Sequence, residues 1–99
     1  MSLHADPVRF YPFLWGHAAE RGTAAGLGYN LNLPLPRGAG DQLFLKTLEE
    51  AFARIESFAP DALVLALGLD TYEGDPIAGL NISSAGYGTI GHTIASRLR

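Results

Sequence analysis

The sequence predicts an α/β domain with a short, mainly parallel sheet and two main helices, and three stretches carry that expectation. Residues 41–58 repeat apolar side chains at three- and four-residue spacing, the mark of a helix with one buried face. Residues 62–68, ALVLALG, are apolar without interruption, as in a strand covered on both faces of a parallel sheet. Residues 29–33 alternate polar and apolar, as in a strand with one buried face. The order strand, loop, strand, helix, strand, helix implies right-handed crossovers between parallel strands.

Taken in order, MSLHADP reads as the end of a strand followed by a turn at Asp6-Pro7. Domains seldom open on an apolar strand without a preceding cap or loop, so this start raises the expectation of an upstream part that has been removed or never existed. Residues 8–28 sustain neither a strand nor a helix period and read as a long loop, whose aromatics Phe10, Tyr11, Phe13 and Trp15 argue against disorder. The stretch YNLNLPLP alternates up to Leu33, and Pro34 and Pro36 put its end at a sheet edge or just outside it. RGAGD then breaks the chain, with Asp41 suited to cap the helix that follows. Leu45, Leu48, Phe52, Ile55 and Phe58 form the apolar face, with Lys46, Glu49, Glu50, Arg54 and Glu56 mostly elsewhere on the wheel. Pro60 ends it. Beyond the acidic loop, Ser83 or Ser84 caps a second helix that aligns Tyr87, Ile90, Ile94 and Leu98 and is weakened by Gly86, Gly88 and Gly91. No repeat, low-complexity tract or linker interrupts the 99 residues.

Composition narrows the function classes. A domain of this length buries roughly 65% of its unfolded surface, yet 47% of the residues are hydrophobic and only 17% charged, so a partner surface is expected. The net charge of −3, with Lys46 the single lysine, leaves no basic stripe for nucleic acid. The absence of cysteine removes disulfides and thiolate metal sites and fits a reducing compartment. No apolar run approaches the roughly 20 residues that span a bilayer, and no signal-like start is present. The expectation is a soluble cytoplasmic protein with no membrane or nucleic-acid partner. Asn81-Ile82-Ser83 spells a glycosylation acceptor, but without a secretory signal that chemistry is not expected.

Asp70 follows the apolar run, at the carboxyl end of the expected strand, where open α/β sheets place ligands. Together with SLHADP, YPFLWGHAAERG, GLGYNLNLPLPRGAGDQLFL, FAPDAL and LALGLDTYEGDPIAGL, it makes this chain resemble the histone deacetylase superfamily, on its acetylpolyamine amidohydrolase and bacterial deacetylase-like branch. The most specific element is NLNLPLP…GD followed about thirty residues later by LGLDT-x-x-x-DP. The resemblance implies a three-layer α/β/α arginase/deacetylase-like fold, present in part, with residues 1–99 as a single partial domain. It also implies zinc-dependent hydrolysis of an N-acetyl amide, on acetyl-lysine or an acetylpolyamine, in which zinc polarises the carbonyl and activates water. Asp70 matches one of two aspartates that hold the zinc with a histidine. Ser2 and Leu3 match ligands of a structural monovalent cation such as potassium, through a hydroxyl and a backbone carbonyl. Phe13 matches the aromatic lining of the substrate channel, and Gly26 and Gly28 resemble the flexible rim that lets backbone approach substrate.

The family's Asp-x-His zinc pair and tandem histidines correspond to positions upstream of Met1, and its Gly-Gly-Tyr segment to positions beyond Arg99. Of the zinc ligands and catalytic groups only Asp70 remains, so the chain alone is expected not to be a competent deacetylase. It reads instead as a segment of such an enzyme or, alternatively, as a non-catalytic oligomeric interaction module that keeps the scaffold; a third option is completion of the site by another chain. A sheet cut from a larger one bares strand edges, so a homo-oligomer is expected. Other residues have plainer readings. His4 and Asp6 form a strand-end turn rather than a metal pair, His17 and His92 lie apart, Tyr87 packs, and Glu73 and Asp75 belong to a turn at Pro76.

Overall fold

In the computed structural model, which describes residues 1–98, two parallel strands and two helices enclose one small core. Strand β1 (Ser2–Ala5) pairs with β2 (Asn32–Leu35) in the register Ser2 to Asn32 through Ala5 to Leu35. The N–H groups of Ser2 and Asp6 donate to the carbonyls of Leu31 and Leu35. By strand alternation, Leu3 and Ala5 then turn their backbone groups to the opposite edge of β1. The same alternation points Pro34 away from β1, so its missing N–H costs no pairing and β2 continues to Leu35, two residues past the expected end.

Helix α1 (Asp41–Phe58) buries Leu48, Ala51 and Phe52. Its N-cap is Gly40 rather than Asp41, because the Asp41 carboxylate is engaged elsewhere. It accepts the Ser83 N–H at 2.8 Å and the Ser83 hydroxyl at 2.5 Å. The helix stops at Ala59, which takes a left-handed conformation (φ 52°) just before Pro60. Helix α2 (Ser84–Arg97) starts from Ser83, whose Oγ accepts the Gly86 N–H at 3.0 Å. At Gly86 a Cβ would lie 2.2 Å from an Asp41 carboxylate oxygen, so only glycine lets the two helix starts approach this closely.

The core joins Ala5, Leu35, Leu48, Phe52, Ile82 and Ile90, with Tyr87 and Ile94 packed at its margin as the helical spacing predicts. Leu80 and Ile82 are brought in by two isolated parallel bridges, Gly40 to Asn81 and Tyr72 to Ile82. Phe58, expected on the buried face of α1, is mostly exposed and meets Tyr29 edge to face at 5.8 Å.

Residues 62–68 depart from expectation: they form no strand, and Val64 is 92% exposed. No backbone hydrogen bond joins residues 61–68 to another described residue. Continuous apolarity reports a segment suited to burial on both faces, but a strand exists only where a neighbour supplies the ladder. Among the described residues, none does.

Candidate metal and substrate site

An open concavity of about 1190 Å³ separates β1 from residues 63–71, with apolar side chains of α1 and α2 forming part of its wall. Ser2, Leu3, Phe13 and Asp70 all line it, so four of the six residues singled out from sequence come to one surface. Gly26 and Gly28 do not line it. They lie in and after a single 3-10 turn, Ala24–Gly26, where the Gly28 N–H donates to the Arg21 carbonyl at 2.7 Å.

Asp70 stands just past the apolar segment and is exposed. Its carboxylate oxygen folds back over Gly68 and receives no hydrogen bond from the described residues. The next residues are held better. Thr71 accepts the Ile82 N–H at 3.1 Å and its hydroxyl meets the Tyr87 hydroxyl at 2.5 Å. Tyr87 also donates to the Leu69 carbonyl at 3.3 Å. Tyr87 therefore fixes the base of the Asp70 turn as well as packing in the core. Asp75 ties its own turn by accepting the Ile77 N–H at 2.9 Å, and Asp6 does the same for Val8 at 2.9 Å.

The zinc reading meets a plain test of donors. One carboxylate does not make a catalytic zinc site, which needs three protein ligands. Among the described residues no three His, Cys, Asp or Glu side chains gather to supply them. The residues of this chain therefore do not by themselves fit a catalytic zinc ion. For the monovalent cation the described residues offer two oxygens on β1, fewer than a hard cation takes. Leu3 carries its carbonyl on the edge of β1 away from β2, and the Ser2 hydroxyl is 2.8 Å from His4 Nδ1.

Sequence reasoning missed the polar network behind these oxygens. His4 lies within β1, and its Nε2 is 2.7 Å from the Gly16 carbonyl. The Gly16 N–H donates to Glu20 at 2.9 Å. That bond, opposed by partial burial and reinforced by the His17 N–H, the His17 charge and Asn32, holds the Glu20 carboxyl below its usual range. Asn32 is buried and donates to the His17 carbonyl at 3.1 Å and to Glu20 at 3.2 Å. Alternation in 29–33 placed Asn32 on the solvent side; the folded-over loop covers it. Phe13 sits at φ 62° on that loop, uncommon for a bulky residue, with its ring half exposed toward the concavity.

The sequence profile of the histone deacetylase domain matches residues 1–99. The chain is 44% identical over 96 residues to the acetylpolyamine amidohydrolase of Burkholderia pseudomallei, covering 97% of this chain and 28% of that protein. It is 47% identical over 94 residues to acetylpolyamine amidohydrolase 1 of Pseudomonas aeruginosa, covering 95% of this chain and 27% of that protein. The crystal structure of the Burkholderia pseudomallei acetylpolyamine aminohydrolase superposes with a TM-score of 0.90 at 45% identity, over 97% of this chain and 28% of that one. A histone deacetylase homologue from Aquifex aeolicus gives 0.91 at 33% identity, over 97% and 26%. The chain thus spans little more than a quarter of the relatives it matches. The fold is their α/β fold in part.

Proposed function

The chain belongs to the histone deacetylase domain family, and from that premise we propose that it is one segment of a zinc-dependent amide hydrolase acting on an acetylated amine, acetyl-lysine or an acetylpolyamine. The observation that carries the reading is the convergence of Asp70, Ser2, Leu3 and Phe13 on one concavity from three separate stretches of sequence. Asp70 contributes one oxygen donor to a zinc site whose other donors lie outside these residues. Ser2 and Leu3 contribute two donors to a neighbouring monovalent cation, and Phe13 contributes an apolar wall for the substrate arm. Gly26 and Gly28 belong to a rim outside this surface. The net charge of −3 and the absence of cysteine support a cytoplasmic protein without a nucleic-acid partner.

When bound, zinc supplies Lewis-acid polarisation of the acetyl carbonyl and an activated water. This chain's own residues position the acyl arm and hold a carboxylate at the tip of the apolar segment. Metal analysis of the purified chain, joined to hydrolysis assays on acetyl-lysine and acetylpolyamine, tests the reading. We expect no turnover and at most weak zinc binding that Asp70→Ala removes. Stoichiometric zinc with turnover would overturn the view that the site needs further donors.

A second reading, a non-catalytic oligomeric interaction module, is favoured by the exposed apolar segment 63–69. Both readings share one expectation: the chain self-associates, because free strand edges and bare apolar residues seek a copy of themselves.

A further inference from the structure

We propose that the gap between β1 and residues 62–68 is a strand-acceptor site whose occupant is the same run of a second copy, so that two chains exchange these runs about a twofold axis. This names the contact for the self-association expected above and rests on that expectation. In one copy the peptides of Leu3 and Ala5 turn their N–H and C=O groups away from β2, toward the concavity. No backbone hydrogen bond outside the β1–β2 pairing reaches either residue, and none joins residues 61–68 to another described residue. The wall between them is apolar, with Phe44, Ile55 and Ile94 only partly buried. The gap therefore fits an uncharged extended strand with both edges free. The run ALVLALG is one: it carries no charge, and its Val64, Leu65 and Leu67 are exposed.

Symmetry decides between a second copy and a foreign strand. A foreign strand in the gap would pair with β1 and with one edge of residues 62–68, and the other edge of that run would stay bare. With a twofold axis between the two runs, the sheet reads β2, β1, the second copy's run, the first copy's run, then β1 and β2 of the second copy. Each run has a neighbour on both edges and each gap is filled. The contact closes at two copies because each gives what it receives. With β1 four residues long and each run seven, edge contacts of roughly 13 and 23 Å on strands about 10 Å thick, and the walled faces, bury about 1,400 Å² in all, within the range of stable dimers.

The test follows the 99-residue chain, labelled with nitrogen-15, by sedimentation and amide hydrogen exchange over a concentration series. A dimer is expected, with the amides of residues 63–67 and of Leu3 and Ala5 protected in proportion to the dimer formed. His4 and Asp6, whose N–H groups face β2, should be protected in monomer and dimer alike. Leu65→Pro keeps the run apolar but removes a ladder donor from each copy, and should raise the dimer dissociation constant at least about 10-fold. Leu65→Val keeps the donor and should stay within about 3-fold of wild type. Urea melts of both variants as monomers should match wild type, since Leu65 is exposed and its backbone is unpaired in one copy. A dimer whose Leu3 and Ala5 amides stay unprotected, or one that Leu65→Pro leaves as tight, would overturn the strand exchange while keeping self-association. A chain that stays monomeric at high micromolar concentration would overturn both, and an oligomer larger than two copies would overturn the twofold closure. The zinc and hydrolysis assays given above check the family reading independently of every one of these results.

Discussion

Ser83 joins the two helix starts, and replacing it separates two effects that wild type combines. In Ser83→Ala the backbone N–H still donates to Asp41, but the hydroxyl's bonds to Gly86 N–H at 3.0 Å and to Asp41 at 2.5 Å are both lost. The lost cap alone costs about 1 kcal/mol, and in a domain of this size that lowers Tm by about 4–8 °C. Loss of the bond to Asp41 adds to this. The Ser83 hydroxyl, followed by its N–H, holds the Asp41 carboxyl below its usual range, against a smaller effect of burial. A depressed folded-state value contributes stability that is present above the unfolded value, near pH 4, and fades as pH falls through the folded one. Part of wild type's advantage over Ser83→Ala should therefore shrink from about pH 5 downward. Ser83→Asp sharpens the test. Aspartate caps helices as well as serine, yet here it faces the Asp41 carboxylate. It should be at least as unstable as Ser83→Ala at pH 7 and recover as pH falls. Thermal melts by circular dichroism, at concentrations where sedimentation shows one species, measure all three. Ser83→Asp matching wild type at pH 7 would refute the reasoning.

Three further outcomes follow from the packing. Ile82 is fully buried, so Ile82→Ala should cost about 2–5 kcal/mol, enough in a small domain to erase a cooperative urea transition. Gly16→Ala must take a left-handed backbone and crowd His4, so a loss of about 1–2 kcal/mol in urea melts is expected. Val64→Ser paired with Leu67→Ser alters side chains that are 92% and 64% exposed. It should leave urea stability of the monomer unchanged while shifting the sedimentation profile toward smaller species.

Legibility in the sequence followed the range of the interactions. Helix α1 was legible to within a residue because its signals are local: an apolar stripe over five turns and a proline after its end. The cap of helix α2 was legible for the same reason as Ser83 or Ser84, and the structure takes Ser83. The role of Asp41 was not, since its partners lie 42 residues away and only tertiary folding brings them together. Asn32 and the contacts of His4 were not legible because alternation describes the two faces of a strand and is silent about a loop folding back over one of them. Of the site, the motif residues Asp70, Ser2, Leu3 and Phe13 converged. The network from Glu20 to Ser2 had no sequence signature, as it runs through a backbone carbonyl that any residue possesses.

The apolar run 62–68 shows how the two levels fit together. Its composition is that of an interior strand, and its exposure is that of a strand without neighbours. Across the concavity, β1 offers the backbone groups of Leu3 and Ala5 on its free edge. An extended segment lying between them would satisfy both edges at once and cover the apolar wall, a larger gain than pairing with either alone. Asp70 follows that run directly and, among the described residues, is anchored from its far side alone, through Thr71, Tyr72 and Tyr87. A metal ligand must be held to within roughly 0.5 Å to bind well. On the proposed reading, pairing of residues 62–68 and ordering of the Asp70 carboxylate are therefore one process, and any polypeptide that fills the gap should raise zinc affinity even before it contributes a ligand of its own.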